Sequence, residues 1–333
     1  MAILVTGAAG FIGFHTADAL LARGEEVIGI DNLNPYYDVR LKQARIETLT
    51  ASHRDAFQFR RLDFSNAGAL SRTLCGTNID RIVHLGAQAG VRYSIKNPSA
   101  YVRANVVGHI NILELARARE VRHLVYASSS SVYGATETTP SRVDDRTDRP
   151  KSLYAATKRA DELMSESYAS LFRIPMTGLR FFTVYGPWGR PDMAMWLFTD
   201  AIMRGRPMQL FNAGAMRRDF TYVDDIVRGV LTSLDHPPAD NGREKSGGSN
   251  SPHAIYNLGN YGSENLLDVV HLIEKTVGRE AKISLRPMQP GDVPETCADL
   301  TASRRDLGFE PRIGIAEGVP RFVDWFKTYH HVA

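Results

Sequence analysis

The chain has 333 residues, of which 43% are hydrophobic and 23% are charged, the ordinary composition of a globular protein with enough chain for a sizeable core. Its formal net charge of +3, from 40 basic and 37 acidic side chains, is too small to favour nucleic acid as a partner. The two cysteines, Cys75 and Cys297, lack the close spacing of metal ligands, and no apolar run approaches the roughly 18 residues of a membrane span, so we expect a cytoplasmic protein without a metal site or a membrane partner.

Short apolar strands alternate with amphipathic helices through the first half of the chain. The predicted strands are Ala2–Thr6, Glu26–Ile30, Phe57–Leu62, Arg81–Leu85, His123–Ala127 and Met176–Phe181. The predicted helices include Ile12–Arg23, Asn105–Ala118 and Leu153–Phe172. Several strands are continuous apolar runs, as expected when helices cover both faces of a sheet. The alternation predicts an α/β fold with a doubly wound parallel sheet of the Rossmann type.

The pattern changes after about residue 180. Short strand patterns occur at Met208–Phe211 and Ala281–Arg286, and a stretch rich in Pro, Gly and Ser, His236–His253, predicts a flexible surface loop. We expect residues 180–333 to form mainly a smaller C-terminal α+β lobe that binds the substrate. Residues 219–236 are expected to pack back onto the first domain, residues 1–179, with the ligand in the cleft between the two parts.

A glycine-rich turn joins the first predicted strand to the first predicted helix. Its glycines allow a tight turn and a close approach of the backbone to a pyrophosphate, which then meets the N-terminus of the helix. An ordinary turn is the alternative, but an acidic residue, Asp31, ends the second strand about 20 residues further on, as in dinucleotide-binding proteins. The residues of this turn expected to contact the cofactor are Gly7, Gly10, Phe11, Ile12 and Gly13.

The acidic residue favours NAD over NADP, because its carboxylate accepts hydrogen bonds from the adenosine ribose and repels a 2′-phosphate. Asp31 and its neighbour Asn32 are therefore predicted to bind the cofactor, although Asp31 could also be a simple turn residue. Asp63 and Phe64 follow the third strand and are predicted to meet the adenine, with a helix N-cap as the alternative for Asp63. Residues 1–179 are thus predicted to be the NAD-binding domain.

Tyr154 and Lys158 lie one turn apart on one face of a predicted helix. A tyrosine with a pKa of about 10 is a poor base at neutral pH, and a neighbouring ammonium favours its phenolate. About 25 residues earlier, four serines, Ser128–Ser131, follow the fifth strand at the edge where parallel sheets bind ligands. Two helix-surface residues and a polar loop are the alternative interpretations.

The Gly-x-x-Gly-x-x-Gly spacing resembles the short-chain dehydrogenase/reductase superfamily, and specifically its extended branch of sugar-nucleotide enzymes. The resemblance implies a catalytic triad of Ser129, Tyr154 and Lys158. Tyr154 would take the proton from the sugar 4-hydroxyl while hydride passes to NAD, Lys158 would hold the nicotinamide ribose, and Ser129 would position the reacting oxygen. Asn105 matches a position that orders the active site, with an N-cap as the alternative.

Relatives that dehydrate or decarboxylate the sugar carry acidic residues directly after this serine or threonine. Here those positions are Ser130 and Ser131, so the 4-keto intermediate should be reduced again on its opposite face. The resemblance therefore implies epimerisation without net redox change. Family members often form homodimers through helices such as Asn105–Ala118 and Leu153–Phe172, and we expect the same here.

The second half carries motifs that resemble substrate-binding segments of the family. In the string 217–225, Arg218 matches a residue that binds the diphosphate, and in Gln289–Asp292 the residue Asp292 matches one that meets the uridine ribose. The string 180–194 and the string Gly90–Ser94 look like UDP-glucuronate 4-epimerases rather than the UDP-glucose type. The resemblance places the following further residues at the substrate, with the C6 carboxylate held by the last three: Arg92, Ser94, Arg190, Thr183 and Ser130.

The resemblance implies an isomerase that interconverts UDP-glucuronic acid and UDP-galacturonic acid. Two alternatives stay open. One is a 4-epimerase of neutral UDP-hexoses or UDP-N-acetylhexosamines. The other is a catalytically idle NAD-binding scaffold, which would need the glycine turn but not Tyr154, Lys158 and Ser129.

Overall fold

The computed structural model describes residues 1–134, 138–289 and 291–332. Its strands are β1 Ala2–Thr6, β2 Glu26–Asp31, β3 Phe57–Arg61, β4 Ile79–His84, β5 His123–Ser129, β6 Met176–Phe181, β7 Thr183–Tyr185, β8 Pro207–Phe211, β9 Arg217–Arg218, β10 Phe220–Tyr222, β11 His253–Leu258, β12 Glu264–Asn265 and β13 Lys282–Arg286. Its helices are α1 Phe11–Ala22, α2 Val39–Ser52, α3 Ala67–Thr73, α4 Val91–Lys96, α5 Pro98–Tyr101, α6 Gly108–Ala118, α7 Leu153–Phe172, α8 Ala194–Met203, α9 Val223–Asp235, α10 Leu266–Val277, α11 Thr301–Leu307 and α12 Ile315–His330.

Seven parallel strands form the central sheet, in the order β3-β2-β1-β4-β5-β6-β11. Side chains of successive residues point to opposite faces of a strand. In β1, accordingly, Ile3 and Val5 belong to one hydrophobic cluster and Leu4 to another. The first cluster includes Phe14 of α1, and the second includes Ile112 of α6. Because helices cover both faces, the inner strands β1 and β6 are buried along their whole length, and the predicted doubly wound parallel fold is confirmed.

The second half of the chain contributes to this sheet as well as to the smaller lobe. Strand β11 pairs with β6 as the seventh strand, so the sheet extends past the sequence division at residue 180. Helix α9 packs on α1 and on β5 and β6. The stretch 236–253 contains no helix or strand before His253, which begins β11, and Ser249 and Ser251 within it are buried. Strands β8 and β13 pair with each other in parallel, apart from the large sheet.

The predicted start of a helix at Asn105 is wrong. A π-helical segment, Val102–Val107, connects α5 to α6, so helical backbone runs without a break from Pro98 to Ala118. Asn105 lies inside this segment and is buried, which excludes the N-cap alternative. None of the helices in the described part of the chain is long and apolar enough to cross a membrane.

Candidate active site

A cavity of about 720 Å³ opens at the carboxyl edge of the sheet, where the strands end toward the second lobe. Most of the residues predicted from the sequence line it together. From the first half these are Gly7, Gly10, Phe11, Ile12, Gly13, Asp31, Asn32, Asp63, Phe64, Ser129, Ser130, Tyr154 and Lys158. From the second half they are Thr183, Arg190, Arg218 and Asp292. The remaining predicted residues, Arg92, Ser94 and Asn105, do not line the cavity wall.

The backbone around the glycine turn leaves no room for a side chain at Gly7 or Gly13. Gly7 has a φ of +69°, and a Cβ there would lie 2.8 Å from Cα of Gly86. A Cβ at Gly13 would lie 2.0 Å from the carbonyl oxygen of Gly7. Helix α1 begins directly after Gly10, which provides no side-chain cap. The N–H groups of the first helical turn are therefore available to an anion in the cavity, which fits the pyrophosphate of a dinucleotide.

Two carboxylates lie at the rim expected to hold the adenosine. Asp31 accepts a hydrogen bond from the backbone N–H of Leu33 at 2.8 Å, and its Oδ1 lies 4.0 Å from Nζ of Lys42. Asp63 accepts hydrogen bonds from Asn32 and from Ser65. Burial raises the pKa of Asp63, but these hydrogen bonds outweigh it and the net shift is downward. Helix α3 is capped instead by Asn66, so the N-cap alternative for Asp63 is wrong. Sequence reasoning missed Lys42, which no local pattern distinguishes.

The predicted triad comes from two neighbouring elements. Ser129 ends β5, and its Oγ accepts hydrogen bonds from the backbone N–H and the hydroxyl of Ser131, at 3.2 and 2.9 Å. Tyr154 lies in the first turn of α7, which is capped by the side chain of Ser152. One turn later, Nζ of Lys158 donates to Asp161 at 2.6 Å, a contact that sequence reasoning missed.

A buried ion pair between Glu162 and Arg180 holds the start of the serine segment in place. Glu162 accepts a hydrogen bond from Ser128 at 2.6 Å and two from the Arg180 guanidinium, at 2.8 and 3.0 Å. Arg180 also donates to the Tyr133 hydroxyl. Burial raises the pKa of Glu162, but the charge of Arg180 outweighs it and the net shift is downward. The end of β5 is thereby fixed relative to α7 and β6.

Asn105 acts on the site through other residues. Its amide oxygen accepts from the backbone N–H of Gln88 at 2.8 Å, and its amide nitrogen donates to the Gln88 carbonyl and to the Thr157 hydroxyl, at 3.1 and 2.9 Å. Gln88 lines the cavity, and Thr157 precedes Lys158 in α7. Asn105 therefore joins the loop after β4 to α7, rather than contacting the cavity itself.

Arg190 has an acidic partner in its own loop. Its Nε and Nη2 donate to the two carboxylate oxygens of Asp192, at 3.0 and 2.6 Å. The Tyr36 hydroxyl also donates to Asp192, at 2.9 Å. Burial, and then the charge of Asp192, raise the pKa of Tyr36 to about 12. Both donors on one side of the Arg190 guanidinium, Nε and Nη2, are therefore bonded to Asp192. A ligand carboxylate can bind these two atoms only if the ion pair breaks, but it can bind Nη1 while the pair stays intact.

The predicted nucleotide-binding residues lie on both sides of the cleft. Arg92 in α4 forms an ion pair with Asp292 at 3.3 Å and lies over the Phe211 ring. Arg218 donates to the carbonyl of Pro294, and burial lowers its pKa. Ser94 is buried and donates to the carbonyl of Val91, so its prediction as a substrate contact is not met: a hydroxyl on the inner face of α4 bonds within its own helix. Pro290, in the Gln289–Asp292 motif, lies outside the described residues.

No group of three or more potential metal ligands occurs within residues 1–134, 138–289 and 291–332. Instead, the site combines a phosphate-binding turn, a tyrosine with a lysine, and several arginines. It can therefore hold an anionic dinucleotide beside a second anionic ligand, and transfer a proton at Tyr154.

Comparisons with known proteins agree with this geometry. Residues 3–259 match the NAD dependent epimerase/dehydratase family. The chain is 47% identical over 339 residues to a probable UDP-glucuronate 4-epimerase of Rhizobium meliloti (strain 1021), with 100% of this chain and 99% of that protein covered. It is 43% identical over 336 residues to UDP-glucuronate 4-epimerase 4 of Arabidopsis thaliana, with 98% and 76% covered.

Among solved structures, the chain is similar to the UDP-glucuronic acid 4-epimerase of Bacillus cereus in complex with UDP-glucuronic acid and NAD. The TM-score is 0.87 at 32% identity, with 99% of this chain and 100% of that chain covered. These findings confirm the resemblance drawn from the motifs and the prediction of NAD as the cofactor. The chain belongs to the NAD-dependent epimerase/dehydratase family.

Proposed function

We propose that the protein is a 4-epimerase that interconverts UDP-glucuronic acid and UDP-galacturonic acid through a transient 4-keto intermediate. The observation that carries this proposal is Arg190, which lines the same cavity as Tyr154 and the glycine turn and can meet a carboxylate on the sugar. The relatives named above, from Rhizobium meliloti and Arabidopsis thaliana, support the assignment.

Bound NAD supplies a reversible acceptor for the C4 hydride. The glycine turn and the N-terminus of α1 bind its pyrophosphate, and Asp31 accepts hydrogen bonds from its ribose. Tyr154, as the phenolate, takes the proton of the sugar 4-hydroxyl and later returns it. Ser129 holds the reacting oxygen in place. Ser130 and Ser131 carry no carboxylate, so the serine segment offers no acid for elimination or for carbon loss.

The direct test is to incubate the purified protein separately with UDP-glucuronate, UDP-glucose and UDP-N-acetylglucosamine and to follow inversion at C4 by NMR. We expect inversion of UDP-glucuronate at the highest kcat/KM. Tyr154→Phe should lower turnover by about 10²–10⁴-fold while NAD binding stays near normal, because it removes only the acid/base oxygen. Inversion of only the neutral sugars would refute the proposal.

A neutral UDP-hexose is the second candidate substrate, and one observation favours it. Since Asp192 already balances the charge of Arg190, the site does not depend on a substrate carboxylate for neutrality. The solved UDP-glucose 4-epimerase of Thermotoga maritima with UDP-glucose is also similar, with a TM-score of 0.87 at 27% identity. The three-substrate assay separates the two candidates directly.

We also propose that the protein forms a homodimer through α6 and α7. Large apolar side chains remain exposed on these two helices, and exposed apolar side chains that lie close together are typical of an interface. They are Ile110, Leu163, Leu171 and Phe172. Light scattering after size-exclusion chromatography should give twice the chain mass of 37.0 kDa. Leu163→Glu should shift the protein toward the monomer, and Leu197→Glu, an equally exposed leucine on α8, should not.

A further inference from the structure

The catalytic lysine has a buried carboxylate as its partner. Nζ of Lys158 donates to Oδ2 of Asp161 at 2.6 Å, and the two side chains are 4% and 1% exposed. The other oxygen, Oδ1 of Asp161, is buried and has no hydrogen-bond partner among the described residues. Burying an ionised carboxylate with one oxygen unpaired costs free energy of folding. Ion pairs at this spacing on a helix surface do not incur that cost, because water solvates their oxygens. The pair is therefore unlike an ordinary i,i+3 contact.

The groups around Asp161 leave Lys158 as its main counter-charge. His109 of α6 and His84 of β4 are fully buried, and burial, followed by neighbouring positive charge, lowers the pKa of each. Both imidazoles are consequently neutral at physiological pH. Tyr126 of β5 has its pKa raised by burial and stays protonated.

The other charged group that acts on Asp161 is the carboxylate next to it in α7. Glu162 follows Asp161 in the chain, but Arg180 and Arg159 bind it. Burial raises the pKa of Asp161 to about 6, against the opposing effect of Lys158. Lys158 is thus the main group that favours the ionised form of Asp161.

We propose that Asp161 is a positioning residue that fixes Nζ of Lys158 and offsets part of its charge toward Tyr154, an inference that rests on the acid/base role proposed for Tyr154. A carboxylate and an ammonium in contact produce a much weaker field than the ammonium alone. Asp161 therefore weakens the electrostatic pull of Lys158 on the electrons of the Tyr154 phenol oxygen. The proton is then held firmly enough to be returned to the sugar oxygen in the second half of the reaction.

Asp161→Asn removes the charge and keeps the shape. We expect the titration midpoint of the Tyr154 phenol to fall by about one pH unit, as one charge at several ångströms predicts. The measurement is a spectrophotometric titration of the protein without substrate or NAD, with the Tyr154→Phe curve subtracted to isolate this one phenol. The acid limb of the kcat profile should shift in the same direction, with little change in KM.

Asp225→Asn is the matched control, because Asp225 is equally buried but binds Arg228 and the backbone of Arg312 and Ile313, outside the cavity lining. It should leave the midpoint unchanged. If Asp161→Asn does not fold, Asp161→Ala removes the same charge and carries the same expectation. A midpoint that stays in place or rises in a folded variant overturns the proposal. The titration needs no sugar, so a failure of C4 inversion with a shifted midpoint counts against the proposed function and not against Asp161.

Discussion

Arg190 lines the cavity and forms an ion pair with Asp192, two residues further along the chain. Burial alone lowers the pKa of Arg190, but the Asp192 carboxylate outweighs it and the net shift is upward. The guanidinium is thus held charged and in a fixed plane before a substrate arrives. A carboxylate that binds beside Thr183 gains a pre-oriented donor in Nη1 rather than a mobile side chain.

This geometry matters for the chemistry because oxidation of C4 in a glucuronate gives a β-keto acid. Such an acid loses carbon dioxide when the bond from C5 to the carboxyl aligns with the carbonyl π system. Arg190→Ala should therefore lower kcat/KM for UDP-glucuronate by about 10- to 150-fold, from the loss of a charged hydrogen bond of about 1.5–3 kcal/mol. It should also release carbon dioxide. The decrease in kcat/KM for UDP-glucose should be much smaller. The epimerised and the decarboxylated sugar nucleotides can both be quantified by NMR.

Arg146→Ala is a matched control for this prediction. Arg146 pairs with Asp148 at the same separation, but both side chains are more than half exposed. Its removal should leave kcat/KM for both UDP-glucuronate and UDP-glucose unchanged. An equal loss on both sugars in Arg190→Ala would mean that Arg190 only supports the loop.

At the scale of elements, α2 links the glycine turn to the loop that carries Arg190 through one fully buried side chain, Arg45. Its guanidinium donates to the carbonyl of Ala9 in the glycine turn at 2.8 Å, and to the carbonyls of Trp188 and Gly189 beside Arg190. The acceptors in the two segments are far apart in sequence, since Trp188 follows Ala9 by 179 residues. Arg45 therefore fixes the distance between the two halves of the cavity.

Arg45→Met keeps the volume and leaves several buried carbonyl oxygens without a donor. Each such group costs about 1–3 kcal/mol, so the free energy of unfolding should fall by at least that amount. The KM for UDP-glucuronate should rise as the loop loosens. Urea denaturation and steady-state kinetics measure the two effects. Arg40→Met, on an exposed residue of the same helix, should change neither, and a stable Arg45→Met protein would exclude this linking role.

The elements that sequence predicts well are those with a local signal. The apolar runs of β1, β2, β5 and β6 and the glycine turn are readable because one short segment contains the whole pattern. β11 was not predicted, because it follows a polar loop and is recognisable as a sheet strand only through its pairing with β6. The π-helical segment around Asn105 carries no pattern of its own.

The same limit applies to the site. Tyr154, Lys158 and Ser129 were predicted from short motifs and do line one cavity. Arg45 and Lys42 were not predicted, because an arginine or lysine on a helix is normally exposed and only distant partners bury it. Ser94 shows the opposite error, since a motif position does not tell which way a hydroxyl points.

At the scale of the molecule, the ligand site is assembled from the edge of one sheet and the lobe above it. NAD should therefore stabilise the whole fold. At a concentration of about 100 times Kd it adds about 2.7 kcal/mol, which predicts a rise in Tm of about 5 °C for the cofactor-free protein. NADP should give little rise, because Asp31 repels the 2′-phosphate. Thermal unfolding with each cofactor measures the difference.

We expect Asp31 and Lys42, whose charged groups lie 4.0 Å apart, to set this preference together. Burial lowers the pKa of Lys42, an effect that the nearby Asp31 carboxylate partly offsets. Asp31→Ala removes the repulsion and frees the Lys42 ammonium for a phosphate, so NADP should now raise Tm. The double variant with Lys42→Ala should lose that gain, since it also removes the ammonium that Asp31 had balanced. Asp63→Ala, at the other carboxylate of the rim, should weaken the response to NAD without creating one to NADP. A wild-type protein that NADP stabilises as strongly as NAD would show that Asp31 does not select the cofactor.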